Sequence, residues 1–288
     1  PFGGTSFVQN ANTDEVNFQI YDPYFNVVYL SGTGFNLNAG ARYNLHSNYD
    51  GQLVYNLNPS YRFNVGNNTF KAYASYSTAY ITPSLFQLYA SGFGNKDLAP
   101  EDNATLEAGI SWSKDQSSIG VSVFQREENN LVQFVTIDPV NFISQYQNVQ
   151  EQLTARGVEV MGQTLLFDVL NLTANYSFTE RDNVPQLRRI PKHKVNASAR
   201  IEAFEGAFLT ARYQYNHQRA DAFFDLNTFS TQNVESYQLV DLDATYKLKS
   251  KEVSFFLGVS NVLDEDFQEV VGFQTRGRNY KVGVRLGL

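Results

Sequence analysis

The residues that could do chemistry stand mostly in the stretches between patterned segments of the chain. Three carboxylate groups are conspicuous: Glu127-Glu128, Glu180 with Asp182, and Asp264-Glu265-Asp266. A calcium ion takes several such oxygens as ligands; on a hydrated loop the same residues are solvated charge. A second set is aromatic and basic: Tyr89, Phe93, Phe223, Phe224 and Phe273, with Arg188 and Arg189. Flat rings offer large contact area at low entropic cost. A guanidinium meets carboxylate, phosphate or amide oxygens. Packing among loops is the other use of these side chains. Nothing resembles a catalytic constellation, so the expected activity is binding, the protein is expected not to be an enzyme, and no catalytic residue is assigned.

Metal and cofactor chemistry find little support. The chain has no cysteine, which removes disulfides and thiolate metal sites. Its three histidines, His46, His193 and His217, lie far apart in sequence. No metal ligand and no cofactor is assigned. A formal net charge of -7 argues against a general nucleic-acid binder, which is usually basic.

The elements that would position these residues are strands. Leu170, Leu172, Ala174, Tyr176 and Phe178 alternate with Asn171, Thr173, Asn175, Ser177 and Thr179. A strand sends successive side chains to opposite faces, so this run has one apolar and one wet face. Similar runs begin at Phe35, Leu53, Phe70, Leu106, Val195, Leu209, Val240, Val253 and Tyr280. Pro59 interrupts the second and suggests a bulge. Soluble strands average about 5–6 residues, whereas a tilted membrane strand needs about 9–11. No apolar run approaches the ~20 residues of a membrane helix, which excludes a helical membrane protein.

Charge sits on one face only. Arg42, Arg62, Lys71, Glu107, Arg200, Glu202, Arg212, Asp241, Asp243, Lys247 and Arg285 all share the polar face of their runs. A charge facing lipid at mid-bilayer costs about 2–4 kcal/mol, so a membrane wall demands this exclusion. Connections also alternate. Short ones at 31–34, 65–68, 114–117, 168–169, 205–206 and 249–251 interleave with mostly longer ones at 46–52, 80–103, 137–142, 181–191, 220–234 and 263–277. Short turns on one side and long loops on the other are the habit of outer-membrane barrels. Two runs, 117–136 and 141–167, are long enough to project beyond the membrane. The expected fold is all-β: an antiparallel transmembrane β-barrel.

Four ordered segments carry a family resemblance. FQLYASGFGNKDLAPE, Phe86 to Glu101, resembles the part of TonB-dependent outer-membrane receptors that often reads LYG-GNPDLKPE; an alternating strand with a glutamate, here Glu107, follows. Asn148 to Glu159 ends in RGVE, similar to the family's GVE strand. PQLRRIPKH, 185–193, is similar to an external loop, and SNVLDEDFQEVVGFQTRGRNY, 260–280, to the signature before the last strand. Within the family, GFQTRGRNY and QLRRIPKHKV are most similar to vitamin B12 (cobalamin) receptors. The ending Arg285-Leu286-Gly287-Leu288 departs from the usual terminal aromatic.

The resemblance implies a barrel of about 22 strands. It also implies a plug domain in the lumen and a TonB-binding segment ahead of the plug. Such receptors capture a scarce large ligand, cobalamin or a ferric siderophore, and import it with energy delivered through TonB. Tyr89, Phe93, Phe223, Phe224 and Phe273 would then pack on a corrin or siderophore, or meet lipopolysaccharide. Arg42, Arg62, Arg200, Arg212 and Arg285 would face the plug or a lumen network.

Counting back from the last run gives about 13 strands, the first near 21–31, of a family barrel of about 22. Open strand edges in lipid are prohibitive. Residues 1–288 are therefore expected to be the C-terminal part of a receptor barrel without its plug, with 1–20 the remnant of an extracellular loop, either cleaved and held with the other half or part of a longer chain. Expected partners are the plug and remaining strands, TonB through the plug, outer-membrane lipid, lipopolysaccharide and a surface lipoprotein, with no nucleic acid. The expected location is the Gram-negative outer membrane. The alternative is a structural barrel subunit of a larger cell-surface assembly.

Overall fold

The computed structural model describes residues 17–181, 189–225, 228–248 and 252–287; over 222–225 and 228–230 it describes the backbone alone. Arg188, Asp182, Leu288 and the side chains of Phe223 and Phe224 lie outside the described set.

The strands in chain order are β1 (Ile20–Tyr21), β2 (Tyr24–Leu30), β3 (Phe35–His46), β4 (Tyr49–Val65), β5 (Asn68–Ile81), β6 (Glu101–Lys114), β7 (Ser117–Asn129), β8 (Val132–Asp138), β9 (Ile143–Asn148), β10 (Leu153–Leu166), β11 (Leu170–Arg181), β12 (His193–Phe204), β13 (Ala207–Asn216), β14 (Arg219–Asp225), β15 (Thr228–Val234), β16 (Tyr237–Lys247), β17 (Val253–Ser260) and β18 (Asn279–Leu286). A short helix, α1 (Leu85–Tyr89), lies between β5 and β6.

Fourteen strands form one sheet, in the order β1-β3-β4-β5-β6-β7-β10-β11-β12-β13-β16-β17-β18, with β2 also paired to β3. Ile20 and Tyr21 face His46 and Leu45, and Tyr24 to Leu30 face Arg42 to Asn36. The two pieces are one lane interrupted at Asp22-Pro23, so fourteen strands make thirteen lanes. β14–β15 and β8–β9 are separate two-stranded hairpins. Strands β3 to β7 and β10 to β12 run 12 to 17 residues. That exceeds the about 9–11 that a tilted span requires.

The chain packs as two compact units: Pro1–Ser60, Ala74–Leu106 and Gln125–Thr154 in one; Tyr61–Tyr73, Glu107–Phe124 and Ala155–Leu288 in the other. In the second unit the register turns the sequence alternation into rows. Leu172, Ala199, Ala211, Leu242, Val259 and Tyr280 are consecutive cross-strand partners. So are Leu170, Ile201, Leu209, Ala244, Leu257 and Val282. Neither row holds a charge, and Leu209, Leu242, Leu257 and Val282 are exposed. Between these rows runs Arg200-Thr210-Asp243-Gly258-Lys281. A one-residue slip would exchange the two sets, so the pattern fixes the register wherever one face meets lipid.

Tight turns use the left-handed region. Gly206 has φ 82°, and a Cβ there would sit 2.4 Å from the Lys247 carbonyl oxygen, so only glycine fits. Within strands, rings fill the space that glycines leave. Phe256 lies over Gly283, Tyr73 over Gly109 and Phe124 over Gly157; a Cβ at any of these glycines would lie within 2.6 Å of the ring.

Three sequence expectations need correction. The 46–52 connection is a two-residue turn, Ser47-Asn48, with β4 starting at Tyr49. The long runs 117–136 and 141–167 each break in two, because Asn130 turns into positive φ (55°) and β8 pairs with β9 rather than continuing β7. The 220–234 loop is mostly the β14–β15 hairpin. β4 runs on through Pro59 as one strand.

Candidate ligand-facing loops and polar face

In the first unit, residues 82–100 fold onto the β8–β9 hairpin. Ser84 caps α1: its hydroxyl accepts the Gln87 N–H at 3.3 Å, and the Gln87 side chain accepts the Ser84 N–H at 2.8 Å. Beyond the helix, the Tyr146 N–H donates to the Phe93 carbonyl at 3.0 Å. Asn95 Nδ2 donates to the Tyr146 carbonyl at 3.0 Å, and Gln145 Nε2 to the Gly94 carbonyl at 2.8 Å. Asn148 donates to the carbonyls of Ala99 (2.9 Å) and Asn130 (2.6 Å), and its Oδ1 accepts the Ala99 N–H at 2.8 Å. Leu88, Leu98 and Leu153 are buried.

A chain of rings lies on this framework. Phe134 and Tyr146 are direct cross-strand partners, with centroids 5.1 Å apart. Phe93 meets Phe134 edge-on at 5.7 Å, and Phe86 meets Tyr146 at 6.2 Å. Phe86, Phe93 and Phe134 remain exposed, so the cluster offers aromatic surface. Of the expected ligand residues, Phe93 belongs to it; Tyr89 instead lies under Lys96, whose Nζ is 5.3 Å from its ring centroid. Phe86, Phe134 and Tyr146 escaped the sequence reading. The available signal was the position of two rings on either side of an Asp-Pro turn.

In the second unit, residues 261–278 dock on the segments around β14. Asp221 is fully buried. Its Oδ1 accepts from Arg189 Nε at 2.6 Å and its Oδ2 from the Val271 N–H at 2.9 Å. The Arg189 N–H donates to the Ala220 carbonyl at 2.8 Å. One carboxylate thus ties together three segments. Nearby, Arg219 Nη2 donates to the Glu269 carbonyl at 2.9 Å. The Tyr237 hydroxyl donates to Glu269 Oε1 at 2.5 Å and accepts from Asn216 Nδ2 at 2.8 Å. Phe267 packs on Tyr237 at 4.6 Å. Arg189, an expected ligand contact, is therefore a structural partner of Asp221. Phe273 is 71% exposed and stays available.

The carboxylate groups have partners of their own. Asp264 accepts the Arg278 N–H at 2.8 Å, and Asn261 exchanges two bonds with the Glu265 backbone, so this motif closes a turn. Glu127 accepts from Gln125 and Gln152, while Glu128 pairs with Arg126 at 2.7 Å. Glu180 pairs with Lys192 at 2.9 Å. Among the described residues no group of three or more acidic or histidine side chains is arranged for a metal ion.

The five expected polar-face arginines are exposed on their strands. Arg212 pairs with Asp243. Arg200 lies over the Phe208 ring at 4.4 Å. Arg285 faces Ser254 across the strands. Arg42 lines a cavity of about 440 Å³ with Tyr24, Asn56 and Ser77. Arg62 stands exposed on β4.

Long antiparallel strands, charge-free rows on one face, and folded loops alternating with tight turns define the wall of an outer-membrane-type β-barrel. The chain belongs to the family of TonB dependent receptor-like beta-barrels, whose model matches residues 2–262. It is 28% identical over 258 residues to the vitamin B12 transporter BtuB of Vibrio cholerae, covering 86% of this chain and 39% of that relative. It superposes on the siderophore receptor PirA of Acinetobacter baumannii with a TM-score of 0.78 at 16% identity, covering 93% of this chain and 46% of that one. The ferric enterobactin receptor PfeA of Pseudomonas aeruginosa, in complex with enterobactin, gives 0.77 at 20% identity, covering 93% and 45%. The chain thus spans less than half the length of these relatives.

Proposed function

We propose that this chain supplies strand wall and outer loops to an outer-membrane receptor that captures cobalamin or a ferric siderophore and imports it with TonB-coupled energy. The observation that carries this is the family match over nearly the whole chain, on a sheet whose charge-free rows suit a lipid-facing wall. The remaining strands and the plug belong to the rest of the receptor, through which TonB acts. Polar-face arginines Arg42, Arg62, Arg200, Arg212 and Arg285 face that interior. Lipid and lipopolysaccharide surround the apolar rows, and a surface lipoprotein is a further partner. Phe93 and Phe273, with the rings around Phe134, are the ligand contacts in this reading; Tyr89 lies on the same loop as Phe93.

The test is uptake by cells that depend on the complete receptor. Labelled cyanocobalamin or ferric enterobactin enters, and entry stops when TonB is deleted. Uptake of neither, or uptake indifferent to TonB, contradicts the proposal. If cyanocobalamin fails to bind at micromolar concentration, a ferric chelate is the cargo.

A further inference from the structure

The three histidines are scattered in sequence, yet the fold sets two of them side by side. β12 and β13 pair Lys194 with Asn216, and one step further out the His217 N–H donates to the His193 carbonyl at 2.9 Å. His193 opens β12, and His217 follows directly on β13. His193 also faces Phe178 across β11, next but one to Tyr176. The two imidazoles therefore share the face of the apolar rows, at the end where the folded loops begin. Their ring centroids are 5.3 Å apart, with the planes at 71°. Both residues are half-buried.

Each ring has one nitrogen engaged, and that engagement decides what the other nitrogen can do. His217 Nδ1 lies 3.1 Å from the Gln218 carbonyl oxygen. A carbonyl oxygen only accepts, so Nδ1 carries the proton and Nε2 presents its lone pair. His193 Nδ1 lies 2.9 Å from the Tyr176 hydroxyl. With Nδ1–H donating to that oxygen, Nε2 of His193 presents a lone pair as well. Among the described residues neither Nε2 has a hydrogen-bond partner. A ring fixed through Nδ1–H to an oxygen, with Nε2 left open, is the arrangement of metal-binding histidines. Tyr176 stacks on the His193 ring and Phe178 packs against it at 5.3 Å, so this imidazole is oriented before any ion arrives. The neighbouring Lys192 is neutralised by Glu180 at 2.9 Å.

We infer that His193 and His217 form a two-histidine site for a divalent transition-metal ion of the zinc–copper class, with water in the remaining positions. The donor set selects the metal: imidazole suits zinc, copper and nickel, whereas calcium takes oxygen ligands. The spacing fits too. A metal sits about 2.0–2.1 Å from each imidazole nitrogen, so two rings sharing one ion at a tetrahedral angle have centroids about 5 Å apart, against 5.3 Å here. A bound ion ties the outer ends of β12 and β13. These are the roots of the segments that carry Arg189 and Asp221, which already meet as an ion pair. The site is separate from the rings around Phe134, and its existence does not depend on which cargo the receptor imports.

The test uses the complete receptor, purified in detergent, stripped with a chelator and titrated with Cu²⁺. The expected result is a bound ion whose electron paramagnetic resonance spectrum is split by two nitrogens. His193→Gln and His217→Gln, which keep a polar side chain of similar size, each remove that ion, while His46→Gln leaves it in place. Heat-modifiable gel mobility confirms that each variant is folded. No Cu²⁺ on the folded receptor, a spectrum without two nitrogen ligands, or retention of the ion in either the His193 or the His217 variant overturns the inference. Uptake assays on cells carrying the same receptor report on the receptor proposal separately.

Discussion

The loop cluster around the β8–β9 hairpin and the one around β14 are held by different chemistry. In the first, side-chain amides of Asn95, Gln145 and Asn148 reach backbone groups, and rings pack edge to face. Each of these bonds is neutral, and much of the aromatic surface is exposed. In the second, a fully buried carboxylate, Asp221, holds Arg189 and the Val271 N–H, and Arg219 and Tyr237 hold Glu269. Neutral bonds contribute about 0.5–1.5 kcal/mol each, and their loss is partly made good by water. A buried charge left without its partner costs several times more. The first cluster is the softer of the two; the second is built to stay closed.

The largest expected effect follows from Asp221. Arg189→Ala leaves the fully buried Asp221 carboxylate without that cation, a loss of about 3–5 kcal/mol in loop docking. Hydrogen exchange of 263–277 should accelerate by a factor of hundreds or more, while the strand rows stay protected. Unchanged exchange would erase the contrast between the clusters. Next is Asn148→Ala, which deletes three bonds at once and should cost about 1–3 kcal/mol. Its readout is faster exchange confined to 93–101 and 130–149. Tyr237→Phe removes one donor and one acceptor, for about 1–2 kcal/mol, seen as partial loosening of 265–271.

The smallest effect is one of pH. The Asn141 side chain donates to Asp138 at 2.7 Å, and the backbone N–H groups of Asn141 and Val140 donate at 3.1 and 2.9 Å. These bonds hold the Asp138 carboxyl below its usual 3.8, and the Asn141 side chain is the main cause. A lowered folded pKa means that the stabilisation is present above 3.8 and is lost as pH falls through the folded value. Protection of the Val140 and Asn141 amides should therefore persist at neutral pH and fade in strong acid.

Much of the wall was legible in the sequence because lipid imposes a strict rule. Leu209, Ala211 and Tyr213 against Thr210 and Arg212 admit one register, and the rows follow it. Beyond the membrane the rule lapses. Asp50-Gly51-Gln52 is polar and turn-like in composition and reads as loop, although it forms the start of β4. The reverse error arose at Asn130, where alternation continues through a turn that asparagine's tolerance of positive φ permits. β2 also escapes the pattern: Tyr24, Val28 and Leu30 lie on the same side as Arg42, Asn38 and Asn36.

The loop sites were less legible still. Asp221 looks like any loop carboxylate, because its burial depends on Arg189 and Val271, 32 and 50 residues away. Two rings on the polar face, Phe208 and Phe256, break the polar run of their strands, and only the folded chain sets them beside Arg200, Lys247 and Lys281.

A receptor wall must turn one face of this sheet to lipid. A chain without cysteine allows a direct test. Single cysteines placed in turn from Phe208 to Gln214 in the complete receptor would carry spin labels in a bilayer. Labels at Leu209, Ala211 and Tyr213 should be reached by oxygen and not by a water-soluble nickel chelate, with the preference lost or reversed at Phe208, Thr210, Arg212 and Gln214. A flat profile, or chelate access at 209, 211 and 213, would contradict the account.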